Sequence, residues 1–288
     1  MLTDMTLALP TYNDEPSILR VVLNAAASEP IEPPVIVVDM STDDRVRRVC
    51  EEFGNRIRYH HYPESTGVSA SRNRCVALAG TRYVTLLDSD VRPNHGWLGP
   101  LARKLRDPDV AVVASRIMPH WLAKPPGLFT SRAAAPLLSL FDLGDETIDV
   151  VRVIGGSYGF DRELVSDPPF DPALGRKPGD PLGLEENVLC EMARSNGLRI
   201  VYVADSVAHH MIPRERLTWR FMWNRARVTG RERRLVGKVE PLPRPPRTSV
   251  DKMFLLAIAP AILAGMVRPQ ARPEMSRHPS YDSDTEHA

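Results

Sequence analysis

Apolar residues in the first third of the chain fall into short unbroken runs. Between the runs they recur every three or four positions. Residues 6–9, 34–39, 57–61 and 83–87 form such runs and predict strands, while residues 15–27, 43–53 and 68–79 carry the helical spacing. Strands that are apolar throughout, rather than alternating, are buried on both faces. Alternated with helices they predict an α/β fold, a Rossmann-like and mostly parallel central sheet flanked by helices. Later in the chain, residues 111–114, 151–154 and 199–203 read as strands. A helical stretch is expected around 133–141, and residues 184–196 form a helix ended by Gly197. Residues 216–234 form a long basic helix, Pro241, Pro243, Pro245 and Pro246 mark a linker, 253–267 is apolar, and 268–288 reads as a disordered tail.

Open sheets of this kind bind ligands beyond the carboxyl ends of their strands. The segments there are Pro10-Thr11-Tyr12-Asn13, Asp39-Met40-Ser41-Thr42-Asp43, Glu64-Ser65-Thr66-Gly67 and Asp88-Ser89-Asp90. They gather the polar and acidic residues while the strands stay apolar. No GxGxxG follows the first strand, which argues against a nicotinamide or flavin enzyme.

Composition narrows the classes further. The 288 residues carry 37 Lys and Arg against 36 Asp and Glu, a balance that gives no reason to expect nucleic acid as a partner. Cys50, Cys75 and Cys190 are scattered with no CxxC pair, so neither a disulfide framework nor a zinc site is expected, and a reducing cytosol is the natural compartment. Residues 1–5 show no basic, then apolar, leader pattern.

Asp88 and Asp90 stand at i and i+2 directly after a buried strand, where two carboxylates can converge on a hard cation and a ribose. An isolated DxD also occurs in solvated loops, so context has to decide. Asp39 ends the second strand, where it either accepts a bond from a nucleoside or helps cap the next helix. Arg72 lies in the first turns of the third helix, placed either as a bidentate donor to a diphosphate or as a surface arginine. Glu185 and Glu186 open a helix, a position the macrodipole favours by itself. Adjacent helical residues diverge, so one of the two faces the site as a general base while the other holds the local loop. His209 and His210 follow a strand near these carboxylates, a placement that suits a metal ligand.

Taken in order, these segments resemble the family-2 glycosyltransferases of the GT-A fold over roughly residues 6–234. The motifs are Pro10 to Asn13, Asp39 to Asp43, Gly67 to Asn73, Asp88-Ser89-Asp90 with Pro93 and Trp97-Leu98 downstream, Gly155-Gly156 through Arg162, Glu185-Glu186, and a late histidine. His210 is favoured over His209 by the spacing to Ile212-Pro213 and to Arg216-Leu217-Thr218-Trp219. Met40-Ser41 replaces the usual Asp-Gly, Cys75 replaces a common Gly, and Glu186 stands where many members have Asp. The resemblance implies an inverting, metal-dependent transfer from a nucleotide sugar to an acceptor hydroxyl, with a UDP-linked donor expected. It assigns the donor to Pro10, Tyr12, Asn13, Asp39, Arg72, Asp88 and Ser89, and Mg²⁺ or Mn²⁺ to Asp90 with His210 or His209. It assigns the acceptor to Trp97, Gly155 and Gly156, and proton abstraction to Glu186, whose pKa is expected to be raised.

The expected organisation is a catalytic unit over 1–235 followed by linker, apolar segment and tail over 236–288. Arginines crowd 216–234 together with Trp219 and Trp223, as a solvated face, an anion site or a membrane-docking surface. The apolar run 253–267 is short for a span and contains Pro260, so a peripheral anchor or a dimer contact is expected. The expected acceptor is a small molecule or is lipid-linked, and the location is the cytoplasm or the inner membrane face. Two alternatives stay open: an inactive GT-A-like scaffold protein, and a nucleotidyltransferase, although residues 10–15 lack its Gly-rich basic loop.

Overall fold

The computed structural model describes residues 4–63, 67–177, 179–236 and 248–267. Glu64, Ser65 and Thr66 of the third loop, the proline linker and the expected tail lie outside the described residues. The first half follows the hydrophobic pattern closely. Strands β1 (Met5–Thr11), β2 (Val35–Asp39), β3 (Ile57–His61) and β4 (Tyr83–Leu87) form a parallel sheet in the order β3-β2-β1-β4. Helix α1 (Pro16–Ala27) begins on a proline, which suits a first turn whose N–H lacks a partner anyway. It buries Leu19, Val22, Leu23 and Ala26, one stripe at helical spacing. Helices α2 (Arg45–Glu51) and α3 (Val68–Leu78) complete the alternation.

The second half mixes strand directions. After the short β5 (Val91–Pro93) and α4 (Leu98–Lys104) comes the long β6 (Val110–Trp121). The expected strand at 151–154 is absent; that segment is irregular, and β8 (Ser157–Asp161) forms a few residues later, between β4 and β6 and antiparallel to both. The stretch expected to be helical at 133–141 holds one 3₁₀ turn, Ala135–Leu138. A two-residue strand, β7 (Ile148–Asp149), pairs with the last strand. After α5 (Glu185–Ser195), that last strand, β9 (Arg199–Ile212), runs for 14 residues, far beyond the expected 199–203. Its register against β6 shifts between Ser115 and Arg116, so β9 passes Asp205 and Ser206 as an irregularity and continues to the two histidines. The His209-His210 pair is therefore inside a strand, not beyond one.

Helix α6 (Trp219–Val236) is followed by α7 (Ser249–Val267), which continues through Pro260. By length and composition α7 is apolar enough to cross a membrane. In the structure it lies against α6 and buries Phe254, Ile258 and Ala261. Phe254 and Trp219 stack with ring centres 6.1 Å apart, and Phe129 meets Trp219 edge-on at 4.9 Å. The two helices touch backbone to backbone at glycines. A methyl at Gly230 would overlap the Ile262 carbonyl, and one at Gly265 would overlap the Arg227 carbonyl. Gly265→Ala is accordingly expected to destabilise the protein by about 1–3 kcal/mol, as overpacking does. An unchanged melting temperature in that variant would show that α7 does not rest on α6 this closely.

Candidate active site

A cavity of about 390 Å³ opens beyond the carboxyl ends of β1, β2 and β4. One side carries Thr11 and Tyr12 from the end of β1, Met40 after β2, and Asp88, Ser89 and Asp90 after β4. The facing side carries Arg72 of α3, the 152–155 segment, Glu185 and Glu186 at the start of α5, and residues of α6 and α7.

Backbone pairing explains how distant residues meet here. The Asp88 N–H donates to the Gly156 carbonyl at 2.8 Å, which ties the carboxylate motif to the strand before it turns into β5. Val91 of β5 then stands opposite His210 of β9, and the Met211 N–H donates to the Asp90 carbonyl at 2.8 Å. Asp90 and His210 are 120 residues apart in sequence, yet Oδ2 of one lies 3.2 Å from Nε2 of the other. Side chains alternate across a strand, so His209 faces away. In the strand register it stands opposite Arg92, and burial, joined by the charges of Arg92 and His120, lowers its imidazole from the ordinary value; no hydrogen bond or ion pair joins it to Asp90 among the described contacts.

His210 is buried, and its Nδ1–H donates to the Leu138 carbonyl at 2.7 Å. That bond fixes the tautomer and leaves the Nε2 lone pair directed at Asp90's surroundings. Arg216 lies across both groups: Nη1 donates to His210 Nε2 at 2.7 Å and Nη2 to Asp90 Oδ2 at 2.9 Å. Burial acts to raise the Asp90 carboxyl, but the charges of Arg216 and Arg176 outweigh it and hold it well below the usual range. One carboxylate oxygen and one imidazole nitrogen of fixed tautomer converging on a cationic position fit a divalent cation that completes its shell with oxygens of a bound diphosphate. Among the described residues no group of three His, Cys, Asp or Glu side chains is arranged to hold a metal.

The other pole of the site is built on Arg72, which is nearly fully buried. Its Nη1 donates to Glu185 Oε1 at 2.7 Å and to Glu186 Oε1 at 3.1 Å, and its Nη2 to Asp88 Oδ1 at 3.2 Å. The ring of Tyr158 lies 5.5 Å from the guanidinium carbon. The expectation that Arg72 reaches a diphosphate gains a second side here: both of its Nη groups are engaged by carboxylates, which it gathers, while its Nε has no hydrogen-bond partner. Both glutamates reach the same Arg72 nitrogen and line the cavity. Glu185 is 2% exposed and Glu186 12% exposed, so Glu186 is the more open of the two. Burial and the neighbouring Glu186 push the Glu185 carboxyl up. Glu186 also feels burial, but Arg72, Arg176 and local hydrogen bonds hold it below its ordinary value, opposite to the expected rise. Gly155 belongs beside it because a methyl there would overlap Glu186 Oε1. Gly156 does not line the cavity; its role is the carbonyl given to Asp88.

Further expected residues are placed elsewhere. Asp39 is fully buried and off the cavity wall. Its Oδ1 accepts from Ser41 N–H at 2.9 Å, the Ser41 hydroxyl at 2.6 Å and the Thr11 hydroxyl at 3.2 Å, while Oδ2 accepts from Tyr59 at 2.8 Å. Asp39 thus fastens the loops that carry Tyr12 and Met40 rather than presenting a free carboxylate. Asn13 is exposed at φ +53°, a value asparagine tolerates, and its N–H donates to the Ser41 hydroxyl at 2.8 Å. Trp97 is buried in the apolar core with Leu98 and Leu101, away from the cavity, so it does not meet an acceptor there.

Several cavity residues escaped the sequence reading. Asp14, one residue past the first motif, lines the cavity; burial pushes its carboxyl up to about 6 against hydrogen bonds from Ser89 and Tyr12. Arg152 and Arg176 also line it, from the region between 118 and 183 where no motif spacing applied. The only available signal for Arg176 was a basic Gly-flanked turn, Gly175-Arg176-Lys177.

Residues 6–126 match the family model of Glycosyl transferase family 2. The resemblance drawn from the motifs is borne out over that stretch. A pre-mycofactocin glycosyltransferase of Mycobacterium tuberculosis is 36% identical over 121 residues, 40% of this chain and 24% of that protein. The chain therefore spans about a quarter of the length of that curated relative. A mannosyltransferase from Pyrobaculum calidifontis, solved with GDP-Man and Mn²⁺, superposes with a TM-score of 0.59 at 20% identity, covering 91% of this chain and 73% of that one. GalNAc-T7, solved with UDP, GalNAc and Mn²⁺, gives 0.58 at 13% identity over 88% and 55%. These likenesses place the α/β sheet and its curled second half in the GT-A fold.

Proposed function

We propose that this chain is an inverting glycosyltransferase that moves a sugar from a nucleotide-sugar donor to an acceptor hydroxyl. The observation that supports it most is the gathering, around one cavity, of Asp88, Asp90 and of Glu186 held by Arg72, with His210 buried behind Asp90. The family match over residues 6–126, and the GT-A structures solved with nucleotides and Mn²⁺, support the same reading. We count α7 with the catalytic unit, because Leu255, Ile258 and Ile262 form part of the cavity wall.

In this reading Tyr12 and Met40 contact the nucleoside, with uridine as the base, and Asp88 orients the ribose or the sugar. Asp90 and His210 would hold Mg²⁺ or Mn²⁺, which would supply neutralising charge to the diphosphate leaving group. Glu186 accepts the acceptor's hydroxyl proton as that oxygen attacks the anomeric carbon, and the nucleoside diphosphate departs from the opposite face. Arg72 keeps Glu186 ionised and aimed. Calorimetric titration with UDP, with and without Mn²⁺, tests the reading, with GDP as a parallel titrant. Metal-dependent binding of one of them is expected; binding of neither with Mn²⁺ present would remove the donor assignment.

A further inference from the structure

Asp90 and His210 already face a cation, and it belongs to the chain itself. The Nδ1–H of His210 is given to the Leu138 carbonyl, so Nε2 presents a lone pair. That lone pair lies 3.2 Å from Asp90 Oδ2, which is likewise an acceptor. Two acceptors this close have no proton to share, and they repel each other unless a positive group stands against both. The guanidinium of Arg216 is that group. Its Nη1–H donates to Nε2 at 2.7 Å and its Nη2–H to Oδ2 at 2.9 Å.

The same two atoms are the ones a divalent cation would use. Neighbouring ligands of an octahedral Mg²⁺ stand about 3 Å apart, because bonds of about 2.1 Å meet at a right angle. The 3.2 Å between Oδ2 and Nε2 fits that spacing. A lone pair given to Arg216 is not free for a metal, and a guanidinium left in place would repel a second cation at contact distance. The two occupants exclude each other.

Arg216 is also placed so that it can leave. Its side chain is 30% exposed, whereas that of Arg72, engaged by three carboxylates, is 3% exposed. It closes the short 3₁₀ turn Arg214–Arg216, where its backbone N–H donates to the Pro213 carbonyl and the next residue, Leu217, is buried. The backbone is therefore anchored on both sides, and the long side chain can turn outward without moving it.

We propose that Arg216 is a resident stand-in for the divalent cation. It occupies the Asp90–His210 position in the nucleotide-free protein, keeps a metal ion out, and withdraws when metal and nucleotide arrive together. A diphosphate brings the negative charge that two neighbouring cations need, so metal affinity is low alone and rises once the nucleotide is bound. The proposal rests on the glycosyltransferase reading and adds to it a residue that sets how the site loads.

The test is calorimetric titration of the full chain with Mn²⁺, alone and after saturation with UDP. Arg216→Met is expected to tighten Mn²⁺ binding to the nucleotide-free chain about ten-fold or more, and so to narrow the gap between the two titrations. Arg216→Lys keeps the charge but not the two-pronged donor, and should shift the affinity less in the same direction. A thermal melt checks that each variant is folded. Arg220→Met removes an equal charge from an exposed position on α6 and should leave Mn²⁺ binding unaltered. Three results overturn the proposal: no gain in Mn²⁺ affinity in the folded Arg216 variants, an equal gain in Arg220→Met, or an unaltered chain that binds Mn²⁺ as tightly without UDP as with it. If any of these occurs while UDP and Mn²⁺ still bind together, the stand-in alone falls. If UDP fails to bind with Mn²⁺ present, the donor reading falls with it.

Discussion

Glu186→Gln is expected to abolish sugar transfer, lowering kcat about 10³-fold, in the range general bases contribute. The substitution keeps the shape and one oxygen of the side chain, so UDP affinity measured by calorimetry should stay near that of the unaltered protein. Because Arg72 and Arg176 hold the Glu186 carboxyl below its ordinary value, the base is ionised throughout the neutral range. The acid limb of the kcat profile that belongs to Glu186 should therefore fall below the usual carboxylate range, not near neutrality. Normal turnover in the Gln variant would transfer the base role to another group. Glu185 is the nearest other carboxylate, and burial beside Glu186 pushes its carboxyl up.

The largest effect on stability is expected at Arg72. Arg72→Met leaves Asp88, Glu185 and Glu186 crowded together without the cation that all three contact. Breaking a buried ionic cluster from one side costs about 3–5 kcal/mol, which for a chain of this size lowers the melting temperature by about 10 °C. The sign with pH follows from the directions of the shifts. Glu186 is depressed in the folded state, so its contribution is present above the ordinary carboxylate pKa and is lost as pH falls through the folded value. Glu185 is raised, so its ionisation opposes folding as pH climbs above the ordinary value. The double variant Arg72→Met with Glu185→Gln should consequently recover part of the loss, and a thermal melt reads it directly. An additive or worse double variant would mean that the cluster is not coupled in this way.

Much of the donor half was legible in the sequence because it is built locally. Each of β1, β2 and β4 is a continuous apolar run, and the residues just beyond it reach the cavity by chain direction alone. The second half was not legible in the same way. Ser157-Tyr158-Gly159-Phe160-Asp161 is a strand only because β4 and β6 flank it on both sides, whereas Val151 to Ile154 looks more strand-like and remains irregular. Asp205-Ser206 reads as a turn in isolation, and the bulge against β6 absorbs it, carrying β9 on to His210. Knowing that the histidines sit in a strand separates His209 from His210 at once, since neighbours face opposite sides. The resemblance put Trp97 at the acceptor, and its place at the end of β2 put Asp39 at the donor; burial places Trp97 in the core, and satisfied hydrogen bonds make Asp39 a scaffold. Arg72 illustrates the remaining limit. Its place in α3 was correct, but three acidic partners 16 to 114 residues away decide what it does.

The 3₁₀ turn Ala135–Leu138 touches both ends of the chemistry. Its Leu138 carbonyl holds the His210 ring, while Pro136 and Leu137 stand in the wall against which an acceptor would rest. A substitution that displaces this one turn is therefore expected to disturb two things at once, the orientation of the His210 ring and the shape of the cavity wall beside it.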